Sequence, residues 1–135
     1  MTERARHDPL LTVAVDRDSV AAGDDCVSHA AIIAVAIRLP VGRLVEEARR
    51  ACPLAGIQGG KATWIVDAGG SETSPIGVIA EQWEAPRFLI PETTTVGILF
   101  AAKPTAIFFR YWCQSDPDAV FAALRDGTPL PSRYG

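Results

Sequence analysis

The sequence predicts an α+β domain: a mixed sheet of about five strands, one helix crossing it and a second helix near the C-terminus. Three observations carry this. Apolar residues alternate in several short runs, the period of a half-buried strand. Two longer segments space them three and four apart instead, as on a helix with one buried stripe. Read in order, the segments give β-β-α-β-β-β-α-β-α, with the third consecutive strand of the middle group the weakest.

Residues 1–9 read as a flexible tail, 10–128 as the single domain and 129–135 as a C-terminal tail. In "LLTVAV", Leu11, Val13 and Val15 alternate with Thr12 and Ala14, which predicts a strand with one apolar face. "DRDSVAAGDD" is rich in Asp and Gly and reads as a turn. In "HAAIIAVAIRL", Ile33, Val35 and Ile37 share one face and Ala34 and Ala36 the other. Small residues on that second face allow close approach, and the two segments form a hairpin. "LPVGRLVEEARRAC" changes period: Val41, Leu44, Val45, Ala48 and Cys52 make a helical stripe, and Glu46 and Glu47 precede Arg49 and Arg50 on an exposed face. Pro40 suits the first turn and Pro53 ends the helix.

"KATWIVDAGG", "PIGVIAEQW" and "PRFLI" follow as β runs, the first two joined by the hairpin-like loop "AGGSETSP". "ETTTVGILFAAKP" reads as a short helix capped by a threonine, with Val96, Leu99 and Phe100 inward, although Gly97 weakens it. "TAIFFRYW" is apolar on both faces, as a central strand would be. "SDPDAVFAALRDG" carries the clearest helix signals. Asp116 is the cap, Pro117 the first position, Gly127 the left-handed stop, and Val120, Phe121 and Leu124 the stripe for the sheet. A hairpin, a crossing helix, a second hairpin and a late central strand resemble the order of β-grasp, ubiquitin-like proteins. A generic α+β sandwich accounts for the same order.

Composition bounds function more than it names it. The 135 residues are 48% apolar and 21% charged, with a slightly positive mean hydropathy. That is more apolar than a domain of this size needs for its own core, and the excess is available to a partner protein or to a second copy, as in a homodimer. The net charge of −3 is spread evenly: residues 1–67 carry eight Lys/Arg and nine Asp/Glu, residues 68–135 five and seven. With no basic stripe, nucleic acid is not an expected partner. The N-terminal "MTERARHDP" starts no signal-like apolar run, and Ala30–Ile37 is too short to span a bilayer, so no membrane partner is expected either. Cysteines 26, 52 and 113 are odd in number and far apart, which fits a reducing, cytoplasmic location.

"AGDDCVSHA" concentrates the chemistry-bearing side chains. Cys26 and His29 could form a thiol–imidazole pair or half of a zinc site, the basis of an alternative reading as a Cys/His enzyme or metal protein. On a strand, however, an odd spacing sends the two to opposite faces. Two further metal ligands would also be needed, and Cys52 and Cys113 have no ligand-type neighbours. No metal or other cofactor is therefore expected. Asp16, Asp18, Asp24 and Asp25 lack the spacing of a calcium loop and read as an acidic turn. "GGK" at 59–61 has Ala55 and Ala62 where a phosphate loop needs Gly and Ser/Thr. The C-terminal Gly135 is the position a ubiquitin-like carrier would activate, but Tyr134 precedes it where such carriers have a second glycine.

All ten aromatic residues lie from Trp64 onward. "FFRYWC" puts large groups on both faces of one strand, so both faces must be covered, one of them by a helix. Tyr, Trp and Arg most often anchor interfaces, which makes Arg110, Tyr111 and Trp112 candidate anchors and Asp24 and Asp25 a candidate acidic rim. The expectation is a small cytoplasmic protein-binding domain without catalysis, such as an inhibitor or immunity-type protein.

Overall fold

A computed structural model describes residues 9–19, 29–54, 60–69 and 74–133. These form an α+β domain with one six-stranded mixed sheet and three helices. The strands are β1 (Leu10–Arg17), β2 (Ala31–Ala36), β3 (Thr63–Ala68), β4 (Pro75–Ala80), β5 (Arg87–Phe88) and β6 (Ala106–Tyr111). The helices are α1 (Val41–Ala51), α2 (Val96–Leu99) and α3 (Pro117–Asp126). The two-residue β5 at the edge falls within "PRFLI", the weakest of the expected β runs.

Across the sheet the order is β2-β1-β6-β3-β4-β5. β1 and β2 pair antiparallel, as do β3 and β4, so both expected hairpin pairings are present. β6 lies between β1, to which it is parallel, and β3, to which it is antiparallel. Its two apolar faces follow from that central position. Between Val66 and Asp67 the β3–β4 register slips by one residue. Gly77 sits beside this bulge, where a Cβ would come within 2.8 Å of the Arg87 carbonyl oxygen. Only glycine lets β5 approach so closely.

The main core lies on the face covered by α1 and α2. Val13 and Val15 from β1, Trp64 and Val66 from β3, and Ile107 and Phe109 from β6 are buried there. The α1 stripe of Val41, Leu44, Val45 and Ala48 meets them with no exposed surface, and Cys52 closes it. Pro40 holds the cap position of α1. Thr95 caps α2 by accepting a hydrogen bond from the Ile98 amide.

Among the described residues, the opposite face is covered only in part. α3 lies over β4 and β3, where Val120 packs on Ile65 and Val78, with Trp83, Trp112, Phe121, Leu124 and Leu130 around them. Of the expected stripe, Val120 is fully buried, while Phe121 and Leu124 are half-buried. Asp116 accepts from the Asp118 amide, Pro117 begins the helix, and Gly127 ends it at φ 72°. Beyond α3 the backbone is irregular but tied down. The Trp112 indole donates to the Pro131 carbonyl, Ser115 to that of Ser132, and Arg133 to that of Tyr111.

Candidate functional site

The uncovered part of that second face is the feature the fold leaves without a structural role. Along β1 the side chains alternate, so Val13 and Val15 enter the core while Leu10, Thr12 and Ala14 point the other way. The register places Ala36 opposite Leu10, Ala34 opposite Thr12, and Ile32 opposite Ala14. On the other side of β1, Ala106 pairs with Ala14 and Phe108 with Asp16. These residues form one apolar surface of small side chains bounded by Leu10, Ile32 and Phe108. Leu10 is 65% exposed and Ile32 74%. Ala14, Asp16, Ile32, Ala106 and Phe108 line a groove of about 620 Å³ in it. The small face expected from Ala34 and Ala36 is the β2 part of this surface.

The expected anchors sit elsewhere. Arg110 is 8% exposed, and its guanidinium grips Asp67 with two bonds, Nε to Oδ2 at 2.9 Å and Nη2 to Oδ1 at 3.2 Å. Tyr111 points into the main core, its ring 4.9 Å from that of Trp64. Trp112 points to the other face, as adjacent strand residues must, and lies between the guanidinium groups of Arg110 and Arg133. All three therefore hold the sheet and the C-terminal segment together. Asp24, Asp25, Cys26 and Gly135 lie outside the described residues. His29 directly precedes Ala30 and β2, and its buried Nε2 has no hydrogen-bond partner among the described residues. Among the described residues no group of three His, Cys, Asp or Glu is placed to hold a metal ion. None of the described helices is long and apolar enough to cross a membrane.

Sequence reasoning missed Asp67. Its one signal was an acid inside the six-residue run "TWIVDA", all of which is buried. A buried carboxylate needs a partner, and the arginine on an adjacent strand provides it.

A second cleft, of about 780 Å³, opens at the end of β6 between Tyr111, Cys113–Asp116 and Pro131–Arg133. Cys113 adopts φ 58°, an uncommon conformation for a residue with a Cβ. Its carbonyl accepts from the Thr63 amide, which fixes the turn out of the strand. Among the described residues no histidine lines this cleft to take the thiol proton.

Two groups near this side of the core hold their protons more tightly than usual. Burial pushes the Cys52 thiol up, Arg17 partly opposing it and Asp16 reinforcing it. Burial likewise raises the Tyr111 hydroxyl, with Cys113 and Glu81 adding to it and Arg133 opposing. A raised folded value means that the stability from these protons is complete below the ordinary value and lost as pH rises through the folded one. Urea midpoints are therefore expected to decline as pH passes 9.0 for Cys52 and 10.0 for Tyr111. In Tyr111→Phe the part above pH 10.0 should disappear. Parallel alkaline declines in both proteins would show that this hydroxyl contributes nothing.

No family model matches the chain, and neither the curated proteins nor the solved structures yield a match.

Proposed function

We propose that this chain is a small protein-binding domain that works without catalysis, through the open apolar face of β1, β2 and β6. The observation that carries the reading is the groove lined by Ala14, Ala30, Ala31, Ala106 and the 74% exposed Ile32, with the exposed Leu10 further along the same face of β1. Contiguous apolar surface of this kind is costly to leave in water and suits a partner's side chains. The acidic Asp16 at one end gives such a partner a polar contact at the rim. An inhibitor or immunity-type protein is the narrower form of this reading, supported by the size of the chain and its net charge of −3.

We also read the architecture as β-grasp-like. The antiparallel pair β1–β2, helix α1, the antiparallel pair β3–β4 and the central β6 support that arrangement. β5 and α3 are additions to it.

Ala14→Glu tests the binding reading. Ala14 is exposed at the centre of the groove, so the variant should keep its fold within about 0.5 kcal/mol, as surface changes do. A partner captured from the native host by the wild-type chain should then bind the variant at least about 30-fold more weakly, the loss of about 2 kcal/mol that marks an anchor site. Equal affinity for both chains, titrated side by side, would remove this face from the interface.

A further inference from the structure

The six-stranded sheet ends in two unlike edges. At one, β5 is two residues long, follows Pro86 and carries Arg87, whose guanidinium pairs with Asp118 and covers Trp83. Short length, proline and charge are the usual protections of a sheet edge. At the other, β2 reads "AIIAVA", six residues without charge, proline or glycine.

The hydrogen-bond phase of β2 follows from its register. The Ile37 amide donates to the Pro9 carbonyl, so these two are a hydrogen-bonded pair. Bonded pairs alternate along an antiparallel ladder. Leu11–Val35, Val13–Ile33 and Val15–Ala31 are then bonded too, and the N–H and C=O groups of Ile32, Ala34 and Ala36 point away from β1. The Ala36 carbonyl already accepts from Leu39. Among the described residues no hydrogen bond reaches the outward groups of Ile32 and Ala34.

We propose that a second copy of this chain pairs antiparallel along β2, making a two-fold symmetric dimer with one continuous sheet. The edge is self-complementary when its outward residues are set against one another in an antiparallel pairing. With the axis at Ile33, Ile32 faces the partner's Ala34 and Ala34 faces the partner's Ile32. The outward N–H and C=O groups of Ile32 and Ala34 then meet those of the partner's Ala34 and Ile32. No charge lies on the strand to oppose the approach. Directly opposed residues share a face, so the two apolar surfaces lie side by side on one side of the joined sheet. The partner's Ala34 then flanks Ile32 on that face.

Sedimentation of the full chain at tens of micromolar should give twice the 14.4 kDa chain mass. Ala34→Pro removes only an outward N–H, a substitution that edge strands tolerate, and should sediment as a folded monomer. Ile32→Lys should do the same, because it places two like charges on either side of the axis at a position 74% exposed in the single chain. If Ala34→Pro loses its circular dichroism spectrum, Ile32→Lys alone decides. A wild-type monomer, or a dimer that persists in the folded variants, overturns the proposal. The inference goes beyond the partner-binding reading and does not need it. A monomeric wild type that still captures its partner defeats the dimer alone, and a dimer that captures none defeats the partner reading alone.

Discussion

Replacing Asp67 by alanine is expected to destabilise the domain by about 3–5 kcal/mol, the loss seen when one member of a buried ion pair is removed. That is a large part of the 5–15 kcal/mol typical of a whole domain. Asp67 has no exposed side-chain surface and Arg110 has 9%. The pair bridges the antiparallel strands β3 and β6 beside the register slip. The cost comes from what remains: a guanidinium held out of water without its carboxylate. Asp67→Leu combined with Arg110→Met removes both charges and should recover most of the loss, because well-packed apolar groups often replace a buried pair at little cost. Urea denaturation of the single and double variants measures the coupling. If Asp67→Ala alone stays within about 0.5 kcal/mol of wild type, the pair is solvated in solution and does not bind the strands together.

The elements that sequence periodicity located share a physical trait: each buries one face only. α1 was legible because Val41, Leu44, Val45 and Ala48 repeat at helical spacing, and all four are buried. α3 was legible from its ends, Asp116 with Pro117 and Gly127. β1 and β2 were legible from alternation, and that alternation also foretold the small-residue face. β6 was recognisable as central, but the roles of its side chains were not. Arg110, Tyr111 and Trp112 have the composition of an interface, and composition does not reveal a partner far away in the chain. Arg110 meets Asp67, 43 residues earlier, and Trp112 meets Pro131, 19 residues later. The open groove was hidden for the opposite reason. Its floor is alanine from three strands, and no single segment shows that Ala14, Ile32 and Ala106 are neighbours.

Trp64→Ala is expected to cost a further-reaching 3–5 kcal/mol, roughly the cost of truncating a buried Trp. Trp64 is 1% exposed on β3, where every residue is buried, and its ring packs at 45° against Tyr111. A buried aromatic side chain removes about 150–250 Å² from water, which at about 25 cal/mol per Å² gives a loss of the same order. Trp83 provides the contrast. It is half-buried at the second cluster, with the Arg87 guanidinium 4.1 Å from its ring centre. Trp83→Ala should cost about 1–2 kcal/mol, in the ordinary range for a point substitution. The two variants also separate folding from binding. Val13, Val15, Ile107 and Phe109, the underside of the open face, share one core with Trp64. Loosening that core should weaken partner capture only to the extent that the chain unfolds, whereas Ala14→Glu should weaken it in a chain that melts normally. Thermal melts paired with affinity measurements at a temperature where each variant is folded distinguish these cases. A folded Trp64→Ala that binds no better than Ala14→Glu would place the tryptophan in the recognition chemistry itself, contrary to its burial.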